Sequence, residues 1–345
     1  MIFTKKHYDR QHVFGLEKGI NHFYHGSIVT GGSKSHNYEL SSKLKNDPNS
    51  MTFVGNFTVI GGKATEDLAR KIATKLKGKY LKSELRIFPD GESKITVSGK
   101  PKNGKIVVVQ STYPPVDSNL IQALSLVSKA RKYSSQVYAV VPYLGYARQD
   151  KEFLPGEVIT MSLVANMFKA AGATKVIVVD IHSKMALNHF KIPAKNVSAI
   201  SELVKYFKKL KLKDPLVVSP DLGGIARARE FAKLFGTKFI ALRKQRDRKT
   251  GSVVIRSANQ KQVRGRDMIL VDDMISTGGS IVKAAEFLKK QKCRNIYAAC
   301  THALLIGDAE KRIRKAGVSK IVSTNTIPRK TAVVDVSPVI SKAII

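Results

Sequence analysis

From Phe53 onward, continuous apolar runs alternate with stretches whose apolar positions recur every three or four residues. The first kind reads as buried strand and the second as amphipathic helix. FTVIGG at 57–62 predicts a strand and turn, and residues 64–76 carry Leu68, Ala69, Ile72, Ala73 and Leu76 on one helical stripe. KIVVVQS at 105–111 predicts a strand, followed by a loop with Pro114 and Pro115 and a helix near 120–132. QVYAVVPYL (136–144) and KVIVVDIH (175–182) are further strands, separated by a helix at 157–171 that Gly172 closes. The theme then repeats. PLVVSPD (215–221) leads through Gly223-Gly224 into a helix at 225–234, and KFIALRK (238–244) is a strand. DMILVDDM (267–274) leads through Gly278-Gly279 into a helix at 280–291, and strands at 295–305 and 320–326 follow. Strands that are apolar on both faces belong to parallel sheets covered by helices. The expected class is α/β, with one mainly parallel sheet flanked by helices at 52–200 and a second at 201–345.

Residues 1–51 break this pattern. Their hydrophobic periodicity is weak, the stretch 31–50 is polar, and five of the eight histidines (His7, His12, His22, His25 and His36) fall there. The spacings put no ligand set on one helix face, so the segment reads as an extension without metal chemistry. Ordered patterning begins at Met51, which predicts that translation of the natural protein starts there; a mass-spectrometric N-terminal peptide from before Met51 would contradict this. The N-terminus lacks the continuous apolar stretch of a signal peptide, and no run reaches the roughly 18 apolar residues of a bilayer span. Two cysteines cannot build a disulfide framework or a Cys-rich zinc site. A cytoplasmic protein with no membrane partner is expected.

Composition changes the picture in one respect. The 43% hydrophobic and 25% charged content is that of a globular protein and excludes a disordered tail. The balance of 60 Lys and Arg against 26 Asp and Glu, a formal net charge of +34, suggests a polyanionic partner such as nucleic acid. The excess is spread over the whole chain, however, and the sequence has no Trp and no basic tail. No specific nucleic acid is therefore expected as partner. The charge is densest at 201–250, in the runs KYFKKLKLK (205–213) and RKQRDRK (243–249). The first reads as a solvated helix face; the second is too dense and too close to Gly251 for a good helix.

The strongest chemical signal is ILVDDMISTGGS at 269–280. An apolar strand ends in Asp272 and Asp273, and a loop of Ser276, Thr277, Gly278 and Gly279 opens a helix at Ser280. Such a loop turns backbone N–H groups and a helix N-terminus toward a phosphate, with hydroxyls as further donors. The two acids sit at the carboxyl edge of the sheet, where open α/β sheets bind ligands, and can hold sugar hydroxyls.

This block resembles the fingerprint of enzymes that handle 5-phosphoribosyl 1-diphosphate. From Phe53 to the end the chain resembles the ribose-phosphate pyrophosphokinases, with features closer to archaeal members. The resemblance rests on five further blocks: RIFPDGE (86–92), YLGYARQDK (143–151), VDIH (179–182), VSPDLGG (218–224) and KQR (244–246). It implies two tandem phosphoribosyltransferase-like domains. It also implies transfer of the ATP diphosphate to the 1-hydroxyl of ribose 5-phosphate, with AMP as the other product.

The implied site follows block by block. Phe88, Asp90, Gly91 and Glu92 serve the ATP base across a subunit interface, which makes the chain a homo-oligomer, and Arg148, Gln149 and Lys151 serve the nucleotide and its phosphates. Asp272, Asp273, Ser276, Thr277, Gly278, Gly279 and Ser280 bind ribose 5-phosphate. His182 and Asp221 flank the Mg²⁺ of Mg-ATP, with Asp180 orienting the site from behind. Lys244 and Arg246 ride on a loop that closes over the transferring group, while Arg248 and Lys249 read as solvated. Ser276 stands where many members carry an Asp, and Ser280 where many carry Thr. The segment after His182, SKMALNHF, lacks the Gln-rich stretch of the common bacterial enzymes, and residues 1–51 have no counterpart. Two other readings share parts of this pattern: an inactive synthetase-like regulatory subunit, and a phosphoribosyltransferase.

Overall fold

The computed structural model describes residues 56–101, 104–246, 253–256 and 260–345. The first half runs β1 (Phe57–Gly61), α1 (Glu66–Lys75), β2 (Lys79–Ile87), β3 (Ser93–Val97), β4 (Lys105–Val109), α2 (Val116–Arg131), β5 (Val137–Val141), α3 (Thr160–Ala170), β6 (Lys175–Val179) and β7 (Ala194–Val197). The second runs α4 (Ile200–Lys208), β8 (Leu216–Ser219), α5 (Ile225–Phe235), β9 (Phe239–Ala241), β10 (Arg243–Arg246), β11 (Val253–Arg256), α6 (Gln260–Val263), β12 (Met268–Ile275), α7 (Gly279–Lys290), β13 (Ile296–Ala303), α8 (Ala309–Lys315), β14 (Val318–Thr324), β15 (Ala332–Val334) and α9 (Ser337–Ile344).

The first sheet has strand order β3-β2-β1-β4-β5-β6-β7 and is parallel except at the β2–β3 edge. β4 shows why its sequence does not alternate. Ile106 and Val108 pack into the core formed with α2 and α3, while Val107 and Val109 pack into the core formed with α1 and α9. Both faces are covered, so both sets of positions must be apolar. The second sheet, β15-β14-β13-β12-β8-β9, is parallel throughout and is built the same way. Met268 and Leu270 of β12 face α7 and α8, and Ile269 and Val271 face α4 and α5. Phe207 on α4 is fully buried there, edge-on to Phe231 of α5 at 5.7 Å between ring centroids. β10 and β11 form a separate antiparallel pair.

The chain passes from the first sheet to the second between Val197 and Ile200. It returns at the end, where Ile340 and Ile344 of α9 join the core under the first sheet. Lys175 Nζ donates to the Ala343 carbonyl at 3.0 Å and ties this helix to β6. Asp335 anchors its start by accepting from Ser337 N, Ser337 Oγ and Asn325 Nδ2 at 2.8–2.9 Å.

Three expected boundaries move, for local reasons. α2 begins at Val116, before the expected 120, because its first turns bury Asn119 and Gln122 against Gln110 and so break the apolar stripe. α3 begins at Thr160 rather than 157, since the Glu157 carboxylate accepts from Phe153 N and closes a loop turn. KFIALRK divides into β9 and β10 at Leu242, whose side chain is fully buried. Among the described residues no helix is long and apolar enough to cross a membrane.

Candidate active site

The carboxyl ends of β6, β8 and β12 converge on one cavity of about 720 Å³. Its walls carry Asp272, Asp273 and Ser276 to Ser280 from the end of β12 and the start of α7. Asp221 follows β8, His182 follows β6, and Arg148 comes from the loop after β5. Residues from both sheets therefore line a single space, at the sheet edge where α/β folds take ligands.

The loop from Ser276 to Ser280 is braced from below. Gly278 caps α7 in the left-handed region, with φ at +77°. A Cβ on Gly278 would lie 2.8 Å from Ile313 Cδ1 of α8. Both conditions favour glycine at this position. Arg312 donates to the Thr277 carbonyl at 2.7 Å, and Leu305 N and Ile306 N donate to the carbonyls of Ile275 and Ser276. With these loop carbonyls held away, the first turn of α7 and the hydroxyls of Ser276 and Thr277 form the face suited to an anion.

Asp273 is the electrostatic centre. Its Oδ2 lies 2.8 Å from His182 Nδ1, and Arg227 Nη1 stands 3.5 Å from Asp272 Oδ1 and 3.6 Å from Asp273 Oδ1. Burial opposes its charge, but the hydrogen bond from His182, the Arg227 guanidinium and the contact with Asp272 outweigh it. Its carboxyl ionises well below the usual range. Asp272 shifts upward, first through burial and then through the hydrogen bond and charge of Asp273. Asp273 is thus the ionised member of the pair and Asp272 the readily protonated one. An ionised Asp273 can only accept, so His182 Nδ1 donates to it and Nε2 is left as the ring nitrogen for a ligand.

The Asp221 loop is shaped by its own side chain. Asp221 Oδ1 accepts from Gly223 N at 3.1 Å and Gly224 N at 3.3 Å, which closes a turn at the start of α5. Ser219 Oγ donates to the Asp221 carbonyl at 2.6 Å. Arg227 is three residues into the region after Gly224 and thereby reaches both acids.

The other expected residues lie elsewhere. Phe88 to Glu92 form the turn of the β2–β3 hairpin at the edge of the first sheet, with Phe88 N donating to the Glu92 carbonyl and Arg86 over the Phe88 ring at 5.1 Å. This turn does not line the cavity. Gln149 and Lys151 share the Arg148 loop without lining it; Lys151 Nζ sits 5.0 Å from the Phe153 ring centroid. Lys244 and Arg246 pair in backbone register with Ile255 and Val253, and their side chains lie outside the described residues, as do Arg248 and Lys249. Arg227 and Lys283 line the cavity without having been expected from the sequence.

Residues 57–172 match the family of the N-terminal domain of ribose phosphate pyrophosphokinase, and 186–338 match the phosphoribosyl transferase domain family. The ribose-phosphate pyrophosphokinase of Sulfurisphaera tokodaii is 36% identical over 290 residues, covering 83% of this chain and 99% of that one. That of Methanopyrus kandleri is 39% identical over 279 residues, covering 80% and 94%. The crystal structure of phosphoribosylpyrophosphate synthetase from Mycobacterium smegmatis superposes with a TM-score of 0.73 at 28% identity, over 84% of this chain and 97% of that one. With two domain matches in tandem and relatives aligned over nearly their whole length, the chain belongs to the ribose-phosphate pyrophosphokinase family.

Proposed function

We propose that this chain is an ATP-dependent diphosphotransferase that converts ribose 5-phosphate and ATP into 5-phosphoribosyl 1-diphosphate and AMP. The observation that carries this reading is the single cavity in which the phosphate loop and acid pair of one sheet face His182 and Arg148 of the other. A sugar phosphate and a nucleotide need both sides at once.

In this reading the 5-phosphate sits on Ser276 to Ser280 and the α7 N-terminus. Asp272 and Asp273 accept hydrogen bonds from the ribose hydroxyls. The 1-hydroxyl oxygen forms a bond to the β-phosphorus of ATP and loses its proton. The bond from that phosphorus to the oxygen bridging to the α-phosphate breaks, and AMP leaves with the electron pair. Positioning and charge neutralisation supply most of the acceleration in such a transfer. Arg148 and Arg227 are the cavity guanidiniums available for this. Lys244 and Arg246 are assigned to the transferring group, and Gln149 and Lys151 to the nucleotide. Phe88, Asp90, Gly91 and Glu92 are assigned to the base in a neighbouring subunit of a homo-oligomer, a role that suits an edge hairpin outside its own chain's cavity.

The donor set fits Mg²⁺ bound together with ATP. Among the described residues no three His, Cys, Asp or Glu side chains gather into a cage. Mg²⁺ characteristically takes one or two protein ligands and fills its octahedron with water and phosphate oxygens. Asp221 supplies a hard carboxylate, and His182 presents Nε2 with its other nitrogen tied to a carboxylate. When bound, the ion would offset charge on the phosphate oxygens. The direct test is AMP release with ATP, Mg²⁺ and ribose 5-phosphate. AMP that appears only with the sugar phosphate supports the reading; none favours an inactive homologue.

A further inference from the structure

Beneath the cavity, a buried polar seam joins the two sheets. Thr301 and His302, near the end of β13, are at most 1% exposed. Thr301 Oγ1 donates to Asp180 Oδ2 at 2.6 Å, and His302 Nε2 lies 2.9 Å from the Val179 carbonyl. A carbonyl can only accept, so Nε2 carries the proton, and Nδ1 faces Thr326 Oγ1 at 2.9 Å. Thr324 Oγ1 reaches the Thr301 carbonyl at 2.8 Å, and Ser111 Oγ of the first half donates to the Thr326 carbonyl at 2.7 Å. The Tyr143 ring stands edge-on to His302 at 5.1 Å.

What the seam grips is the turn that delivers His182. Asp180 has φ at +38°, a left-handed conformation that carries strain for a non-glycine residue but that Asp tolerates better than most. Its Oδ2 also takes Ala199 N at 3.0 Å, and Ile181 N donates to Asn196 Oδ1 at 2.9 Å. On the other sheet, Asp272 pairs in register with Cys300 and Met274 with His302. Thr301 therefore lies alongside Asp273. The strand pair that carries the acids also carries the grip on the His182 turn.

Burying so many polar groups is an expensive way to hold two sheets together; an apolar seam would do so at lower cost. Directional hydrogen bonds do what apolar contacts do not, which is to fix one relative position. We infer that Thr301 and His302 are positioning residues: by holding the Asp180 carboxylate and the Val179 carbonyl, they set His182 against Asp273 and fix the spacing of the cavity's two walls. This rests on the functional reading above.

The test compares Thr301→Val, which keeps the shape and loses the hydroxyl, with Thr301→Ser, which keeps it. Both are assayed well below their melting temperatures. Thr301→Val is expected to lower kcat and weaken Mn²⁺-ATP binding, measured by water proton relaxation without ribose 5-phosphate, each by about tenfold, the lower end for supporting contacts around a metal site. The KM for ribose 5-phosphate should stay unchanged, because the second sheet carries the whole phosphate loop. Thr301→Ser should restore both quantities. A folded Thr301→Val with wild-type kcat and Mn²⁺-ATP affinity overturns the inference, and so does a serine variant as impaired as the valine. If Thr301→Val does not fold, His302→Gln, which keeps a donor for Val179, replaces the serine and His302→Met the valine, with the same outcomes. A wild-type chain that releases no AMP sinks the functional reading instead, and the Mn²⁺-ATP titration still decides on the positioning role.

Discussion

His182 and Asp273 are 91 positions apart and on different sheets, yet Nδ1 of one stands 2.8 Å from Oδ2 of the other. The contact fixes the imidazole tautomer and joins the wall of the cavity that comes from the first sheet to the wall that comes from the second. Asp273→Asn leaves an oxygen that can still accept from Nδ1 but removes the charge. Steady-state kinetics should show kcat/KM for Mg-ATP falling by about 10- to 100-fold, with a raised Mg²⁺ requirement. Wild-type kinetics in this variant would refute a role for the charge.

Arg227 is the counter-charge of the acid pair, 3.5 Å from Asp272 and 3.6 Å from Asp273. Arg227→Met removes it and leaves two adjacent carboxyls in a largely buried site. The melting temperature should drop, in line with the roughly 3–5 kcal/mol that breaking a buried pair costs, reduced here because the arginine is partly exposed. Weaker ribose 5-phosphate binding should accompany it. Unchanged thermal unfolding and an unchanged KM for the sugar phosphate would contradict this.

Gly278→Ala tests the loop. The left-handed conformation costs an alanine roughly 1–2 kcal/mol, and the added Cβ meets Ile313 of α8. The KM for ribose 5-phosphate should rise more than the KM for ATP. An equal rise in both would argue against a loop dedicated to the sugar phosphate.

Asp335 predicts a pH dependence of stability. Burial opposes its charge, but hydrogen bonds from Ser337 and Asn325 and the nearby Lys71 outweigh this, so its folded-state pKa is lowered. A lowered folded pKa adds stability that is fully present above the unfolded value of about 3.9 and is lost as pH falls through the folded one. Asp335→Ala should cost about 1–2 kcal/mol at neutral pH, after discounting for its partial exposure. Denaturant titrations of the two proteins should begin to approach each other at about pH 3.9 and converge only once pH lies below the lowered folded-state pKa. A difference that persists unchanged in acid would contradict the assignment.

Much of this site could be read from residue order, because the chemistry sits where strands end. Asp221, Asp272 and Asp273 each follow an apolar run, and the Gly-Gly pairs mark the helix starts. Arg227 was hidden because the sequence offers two arginines two positions apart. Only one can turn toward the acids; Arg229 instead lies over the Phe239 ring at 5.6 Å. The signal that could have found it is its place in the first turn of the helix after Gly224. Of the β2–β3 hairpin, only a short strand before the loop at Phe88 is legible in the sequence, because the hairpin is an edge. Within β2 only Leu81 and Ser83 are buried, which is too little for an alternating pattern. α9 is eight residues long, and its apolar face is explained by partners distant in sequence, α1 at the other end of the described chain and strands β6 and β7 of the first sheet. The net charge of +34 maps onto no single site: Arg148, Arg227 and Lys283 are the cations among the residues lining the cavity.

Diphosphate transfer turns on which phosphorus of ATP is attacked, and isotope transfer measures that directly. With ATP labelled at the β-phosphate, Mg²⁺ and ribose 5-phosphate, the label should move to the sugar phosphate in step with AMP formation. Label that stays in a nucleotide, with ADP as the product, would mean attack at the γ-phosphate and would contradict diphosphate transfer.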